Sequence, residues 1–232
     1  MRVTIIQSCY IPWKGFFDLI GRCEQYVMYD NAQFVKGHWH NRNRIKTATG
    51  TKWLTIPVKT SGRLGQPIRE VEISEKWADR HWSTIKQAYK SAAHFAEHAE
   101  LVRSWYEQAD RAENLSQVNA IFLTGIASLL KLPVRITDDA EYRFQGNASE
   151  LVLAMVEATG GDRYLSGPSA QSYLDESIFS ARGITVEWMR YGPYKPYPQL
   201  HGDFIHEVST LDLLFNTGSE AMSYLQPQSD IT

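Results

Sequence analysis

The sequence predicts an α/β protein with a Rossmann-like parallel sheet core and a helical insertion. Two observations predict this fold. First, an apolar run (3–6), a loop containing Pro12 and Gly15, a helical period and a second apolar run (26–29) follow one another within the first thirty residues, which is the pattern of a βαβ unit. Second, residues 77–132 contain three amphipathic helical segments with no strand signal between them, and such a run cannot alternate with a parallel sheet.

Hydrophobic periodicity and turn residues predict the remaining elements in order. Further strands are predicted at 53–58, 71–73, 134–137, 163–165 and 184–189. Helices are predicted at 16–24, 94–108, 117–130 and 149–159, with shorter ones starting at Trp77, near 171–174 and at 211–215. Asn114 or Ser116 is expected to cap the helix at 117–130, and Ser209 or Thr210 the last one. We therefore predict an α/β core domain (1–75 and 133–232) and a helical insertion or sub-bundle (76–132).

Composition and charge narrow the class of protein. The 232 residues are 43% hydrophobic, which is enough to form a buried hydrophobic core. The net charge is near −2, so the chain lacks the excess positive charge that nucleic-acid binding needs. No window approaches 18 consecutive apolar residues, and the first residues read as a strand, not a signal peptide. We expect a cytoplasmic protein with a small-molecule substrate, no nucleic-acid partner and no membrane insertion. The sequence does not decide between a monomer and a homodimer.

The most informative stretch interleaves cations and amides between tryptophans. Asn41, Arg42, Asn43 and Arg44 lie between Trp39 and Trp53. In an extended segment the two asparagines point to one side and the two arginines to the other, since side chains alternate along a strand. Guanidinium groups bind phosphate or carboxylate bidentately, and amides read the polar edges of a small molecule. An exposed polar hairpin is the alternative; the pattern favours an anion site.

Candidate site residues follow from strand ends and from this block. Polar residues follow the predicted strands, where open α/β sheets bind ligands. We predict substrate binding by Gln7, Tyr10, Trp13, Gln33, Asn41, Arg42, Asn43, Arg44, Ser166 and Gly167, and proton transfer by His40 or Asp30. No metal site is predicted, because His94 and His98 lack a third ligand nearby. Cys9 is expected to be an idle thiol, since no neighbour in the sequence activates it.

Several ordered blocks extend over nearly the whole chain. They are Gln7 to Ile20, Gln33-Phe34, Trp39 to Lys46, Trp53 to Val58, Tyr164 to Ser169, Tyr173-Leu174, Tyr197 to Gln199 and Ser209 to Gly218. Together these blocks resemble the WbqC-like family. Ser8 and Cys9 depart from the family's usual pattern. The resemblance implies a place near bacterial O-antigen, other surface-glycan or secondary-metabolite gene clusters.

This resemblance and the polar block together leave three functions open. The first is an enzyme of surface-glycan or natural-product biosynthesis that transfers an acyl or aminoacyl group to an amine on a sugar or small metabolite. Such a transferase or ligase would use a nucleotide-activated carboxylate, with ATP or acyl-CoA as co-substrate; no resident cofactor is assigned. The second is a non-catalytic binding module for a nucleotide sugar or small carboxylate. The third is a structural subunit with residues 77–132 as its interface.

Overall fold

Five parallel strands form the central sheet of the computed structural model, which describes residues 1–142 and 148–225. The strands along the described chain are β1 (Arg2–Ile6), β2 (Gln25–Met28), β3 (Arg42–Thr47), β4 (Gly50–Thr55), β5 (Arg135–Asp138), β6 (Arg163–Ser166) and β7 (Thr185–Trp188). The central sheet has the order β5-β2-β1-β6-β7, and its neighbouring strands are parallel. β3 and β4 form a separate antiparallel hairpin.

Helices cover both faces of the central sheet. They are α1 (Lys14–Gly21), α2 (Ala78–Tyr89), α3 (Phe95–Ala109), α4 (Leu115–Leu129), α5 (Ala148–Thr159), α6 (Glu176–Ser180) and α7 (Thr210–Thr217). Val3 and Ile5 of β1 pack with residues of α5 and α6 in one apolar cluster. A larger cluster joins the other face to α1, α2, α3, α4 and α7. This architecture confirms the predicted α/β fold with a Rossmann-like core.

The order of the strands creates a crevice between β1 and β6. The chain moves outward from β1 to β2 and β5, then returns to the other side of β1 with β6 and β7. β1 and β2 pair at four positions, whereas β1 and β6 pair at Arg2–Arg163 and Val3–Tyr164, near their amino ends. The carboxyl ends of β1 and β6 are therefore free to separate. Open α/β sheets bind ligands at this point of reversal.

The interval 76–132 contains α2, α3 and α4 and no strand, and the structure describes every residue of it. Tyr10, from the loop after β1, packs edge-on against Trp77 and Phe122, with ring centroids 5.8 and 5.4 Å away. Asn114 caps α4 by accepting from the amide of Gln117. One apolar core runs from the sheet into these helices. The division into a core domain and an insertion stays a prediction.

Two short segments differ from their sequence-based prediction. Residues 71–73 make isolated bridges, Val58 with Ile73 and Glu72 with Asn114, instead of a strand. The ladder does not extend because Pro57 offers no N–H and the chain turns into α2 shortly after Ile73. The helix expected near 171–174 is a 3-10 turn over Pro168–Ser172. In the part of the chain that the structure describes, no helix has the length and apolarity needed to span a bilayer.

Candidate functional site

The start of β3 and the residues just before it hold the loop after β1 in place through hydrogen bonds. The Asn43 side-chain amide donates to the carbonyls of Tyr10 and Ile11 at 3.1 and 2.9 Å, and the Tyr10 amide donates to the Trp39 carbonyl at 3.2 Å. Ile11 has φ of +37°, a left-handed conformation that strains a β-branched residue. Asn43 therefore holds a strained turn in place. This brings the polar block against the carboxyl end of β1.

Arg42 and Arg44 form an arginine face on the outer side of β3. As alternation predicts, Asn41 and Asn43 are buried while the two arginines are partly exposed. The Cζ atom of Arg42 lies 4.3 Å from the Trp53 ring centroid, and that of Arg44 lies 5.8 Å from Trp39 and 5.6 Å from Trp53. The two indoles are 39% and 43% exposed and contact each other.

The arginine face carries positive charge that the protein leaves unneutralised. Neither Arg42 nor Arg44 forms an ion pair with any residue that the structure describes. Their Nε atoms are buried and have no hydrogen-bond partner within the described chain. Two partly exposed guanidinium groups without an acidic partner have the chemistry to bind an anion. The indole contacts hold the two planar forks in position.

An apolar cavity, here called the indole chamber, opens beside the arginine face. Its volume is about 300 Å³, and it is lined by Cys9, Pro12, Trp13, Phe16, Trp39, Asn43 and Glu207. Trp39 belongs both to this wall and to the arginine face, because its ring also contacts Arg44. The chamber and the arginine face are therefore adjacent through this one ring.

A second cavity, the switch-point chamber, lies at the crevice between β1 and β6. It measures about 290 Å³, and its lining includes Gln7, Ser166, Gly167, Ser169, Tyr173 and Tyr191. The Tyr191 ring contacts Trp13 of the indole chamber, with centroids 5.4 Å apart. A β-carbon at position 167 would lie 3.7 Å from the Tyr191 hydroxyl, which is an ordinary van der Waals contact. The two chambers are neighbours that share an aromatic partition.

Asp30 and His40 lie in a buried hydrogen-bond network beneath these cavities. Asp30 is 0% exposed and accepts from the Ser8 amide (2.9 Å), the Ser8 hydroxyl (2.7 Å) and the Ser116 hydroxyl (2.5 Å). His40 is 1% exposed, and its Nδ1 donates to the Ser8 carbonyl at 3.2 Å. Burial lowers the pKa of His40, so the ring is neutral near pH 7. Its Nε2 has no partner among the described residues, which leaves a lone pair free.

The remaining predicted residues lie outside the two chambers. Tyr10 is fully buried, and its hydroxyl hydrogen-bonds with His81 Nδ1 (2.9 Å) and the Tyr106 hydroxyl (2.6 Å) in the helical core. The Asn41 amide donates to the Ile56 carbonyl at 2.9 Å. Gln33 is exposed in a segment bridged to Pro67. The structure thus brings Gln7, Ser166 and Gly167 together in one chamber, and Trp13 and Asn43 in the other. Arg42 and Arg44 line neither chamber, and Arg44 is linked to the indole chamber through the Trp39 ring.

A long irregular segment between β7 and α7, residues 190–208, supplies a wall to each chamber. We call it the strap; it carries Tyr191 and Glu207. Lys46 fastens its middle by donating to Gln199 Oε1 at 2.8 Å. Tyr191 and Glu207 were not predicted from the sequence because the strap has no hydrophobic periodicity. The length of the strap could have indicated a functional segment, since long connections without secondary structure in a compact domain are usually functional.

Lys14 is buried under the strap and should make stability depend on pH. Its Nζ lies 5.0 Å from the Tyr194 and Tyr197 ring centroids, and burial lowers its pKa from 10.5 to about 8, although Asp212 opposes the shift. Below about pH 8 Lys14 is protonated in both states, so burying its ammonium lowers the free energy of unfolding by the full amount. Between pH 8 and 10.5 the folded protein releases the proton while the unfolded chain still holds it, so this destabilisation fades as the pH rises.

We expect Lys14→Met to raise the melting temperature at pH 7 and to lose this advantage at higher pH. The measurement is the difference in melting temperature between variant and wild type from pH 6 to 10.5, the upper limit set by the ordinary lysine pKa. Taking the difference cancels the titration of the buried tyrosines and cysteines, which acts in the same range. A difference that stays constant with pH would show that Lys14 keeps its proton in the folded state.

Cys9 faces the indole chamber but is a poor nucleophile. Burial, together with the nearby Asp30 charge, raises the pKa of its thiol to about 12. We expect Cys9→Ala to bind ligand and turn over substrate within about twofold of wild type, since a thiol with this pKa supplies almost no thiolate at neutral pH. The check is steady-state turnover together with the melting temperature. Lost turnover at wild-type stability would favour a covalent acyl-cysteine mechanism.

Comparisons with known proteins agree with the resemblance of the sequence blocks. The model of the WbqC-like protein family matches residues 7–224, which include the arginine face, the indole chamber and the lining of the switch-point chamber apart from Ile5 and Ile6. A Mycobacterium tuberculosis protein called "Uncharacterized protein Rv1507c" is 42% identical over 226 residues, which cover 97% of each chain. The match extends over both the sheet core and the helical interval. The chain therefore belongs to the WbqC-like protein family.

Proposed function

We propose that this protein is an enzyme of bacterial surface-glycan or natural-product biosynthesis that transfers an acyl or aminoacyl group to an amine on a sugar or small metabolite. The observation that carries the proposal is the arginine face: two guanidinium groups with orphaned Nε donors, without an ion pair among the described residues, beside an apolar cavity. The two adjoining chambers support a reaction with two substrates, since donor and acceptor need neighbouring places.

The arginine face suits the activated end of a donor. A nucleotide-activated carboxylate carries phosphate at its reacting end, and planar guanidinium forks pair with phosphate oxygens bidentately. Because both forks are already fixed against Trp39 and Trp53, binding costs little further side-chain order. In the reaction, the same groups stabilise the negative charge that develops on the leaving phosphate.

Transfer then needs an amine within reach of the acyl carbon. The amine nitrogen attacks the carbonyl carbon, so that a C–N bond forms. The bond from that carbon to the phosphate oxygen breaks, and the nucleoside phosphate leaves with the electron pair. Glu207, a carboxylate lining the indole chamber, takes the proton that an ammonium must lose before its nitrogen can attack, and the leaving phosphate takes the proton that the nitrogen loses after the C–N bond forms. The sequence-based expectation that His40 or Asp30 moves this proton stays a prediction; the free Nε2 supports His40.

A ligand screen followed by a turnover assay tests this function. The melting temperature of the wild type is measured with nucleotides, acyl-CoAs and nucleotide sugars, since a ligand of the folded state raises it. The Arg42→Ala/Arg44→Ala double variant should lose the shift given by the best ligand. Arg103→Ala, which removes an exposed arginine paired with Glu107 on α3, is the matched control and should keep it.

The best ligand is then incubated with amino sugars and other amines, and the products are analysed by mass spectrometry. The proposal predicts an amide product whose rate falls in the double variant. Binding that depends on Arg42 and Arg44 with no product from any amine would favour the non-catalytic binding module instead. A thermal shift of equal size in the double variant would contradict both functions, because both place the anion at these two residues.

A further inference from the structure

The indole chamber differs from the rest of the site in its charge. Glu207 is the only acidic side chain among its described lining residues, and the walls are otherwise apolar, aromatic, thiol or amide. The Asn43 amide is already committed to Tyr10 and Ile11. The Cys9 thiol stays protonated because burial raises its pKa to about 12. The chamber therefore offers one carboxylate, on an exposed residue, beside indole and phenyl faces.

Glu207 is held in place without being neutralised. Two and three residues further on, the Ser209 amide donates to the Arg44 carbonyl at 2.8 Å, and the Thr210 hydroxyl donates to the Pro12 carbonyl at 2.7 Å. These bonds fix the backbone on the C-terminal side of Glu207. The Glu207 carboxylate itself forms no ion pair or side-chain hydrogen bond with a residue of the described ranges, 1–142 and 148–225.

The buried Lys14 ammonium does not pair with Glu207. The neighbouring His206 senses the Glu207 charge, which opposes the lowering of the His206 pKa by burial and by Lys14. The ammonium of Lys14 lies among the rings of Tyr194, Tyr197 and Phe204, at 5.0, 5.0 and 5.5 Å from their centroids. It donates to the Lys195 carbonyl, not to Glu207. The charge on Glu207 is thus left for a ligand.

We propose that the indole chamber binds a primary amine in its ammonium form, with an apolar or aromatic body against Trp13, Trp39 and Phe16. The carboxylate attracts the cation, and the faces of indole rings attract it as well, since their quadrupole is negative above the ring. An anion is repelled from the same place. This inference deepens the proposed function, on which it rests for its role, by naming the class of acceptor. Binding itself requires no donor and no turnover.

The test uses three probes of similar shape: phenethylamine, 2-phenylethanol and 3-phenylpropionate. Each is titrated into the wild type without any donor, and binding is followed by tryptophan fluorescence and confirmed by ligand-observed NMR. We expect phenethylamine to bind about tenfold tighter than the alcohol, which corresponds to roughly 1.4 kcal/mol, and the anion to bind weakest. Glu207→Gln should remove the preference for the amine while leaving the affinity for the alcohol within about twofold.

Two further variants locate the binding. Glu100→Gln, on the exposed side of α3, is the matched control and should bind all three probes as the wild type does. Trp39→Ala should weaken the binding of amine and alcohol alike, because it removes a wall of the chamber. Equal affinities for amine and alcohol, an unchanged preference in Glu207→Gln, or no saturable binding of phenethylamine would each overturn the inference.

The amine-binding test and the test of the proposed transfer reaction can fail independently of each other. If phenethylamine binds through Glu207 but no amide product forms, the acceptor site stands and the transfer reaction fails. If anions bind through Arg42 and Arg44 while amines do not bind at all, the anion site stands and this inference fails.

Discussion

Replacing Asp30 by alanine should lower the free energy of unfolding by about 4 kcal/mol, because three hydrogen bonds to a buried charged acceptor are lost and their donors stay buried. The donors are the amide and hydroxyl of Ser8 and the hydroxyl of Ser116. The loop after β1 and the start of α4 are joined through this carboxylate, so both should loosen. Urea unfolding measured by circular dichroism gives the value.

Asp30→Asn is the conservative companion of this variant. It keeps one acceptor oxygen and the shape of the side chain, so we expect about half the loss of the alanine variant. Ligand affinity per folded molecule should stay near that of the wild type in both variants. Wild-type stability combined with lost turnover would instead establish Asp30 as the proton-transfer residue that the strand-end pattern predicts.

Gly15→Ala should disrupt the indole chamber. A β-carbon at this position would lie 2.3 Å from Cζ2 of Trp13, so the ring must leave its place in the chamber wall. Alanine by itself favours a helix over glycine by about 1 kcal/mol, but overpacking against the partly buried Trp13 ring costs about 2 kcal/mol or more. We expect a net loss of stability and of binding in the chamber.

A double-mutant cycle isolates the clash. In a Trp13→Ala background the ring is gone, so Gly15→Ala should become neutral or stabilising in urea unfolding. The interaction between the two substitutions should be about 2 kcal/mol. Additive effects would mean that Trp13 does not restrict position 15 and that glycine is present there for another reason.

The strands and helices with a regular hydrophobic periodicity could be predicted from the sequence. The unit β1, α1 and β2 follows from alternating apolar runs and from Pro12 and Gly15, and the structure reproduces it. Alternation along 41–44 also gave the correct division into buried asparagines and outward arginines. In each case the local chain carries the information, because a strand or helix repeats its environment at a fixed spacing.

The destinations of individual polar side chains were less predictable. Tyr10 has the sequence context of a loop residue facing a ligand, yet its hydroxyl is taken by Tyr106, ninety-six positions away, once α2, α3 and α4 pack against the loop. Asn43 likewise serves the strained turn at Ile11. Such contacts depend on how distant elements meet. Tyr191 and Glu207 belong to the strap, where neither period nor propensity indicates which side chains turn inward.

The central claim is that Arg42 and Arg44 form an anion site, and calorimetric titration of the ligand that gives the largest thermal shift tests it most directly. Arg44→Ala should weaken binding by about 10- to 100-fold with little change in stability, because charge-assisted hydrogen bonds to the anion are lost from a partly exposed side chain. Arg44→Lys should recover only part of the affinity, since a point charge cannot replace the planar fork. Arg103→Ala should bind as the wild type. Unchanged affinity in Arg44→Ala and Arg42→Ala, with the ligand still bound, would contradict the account.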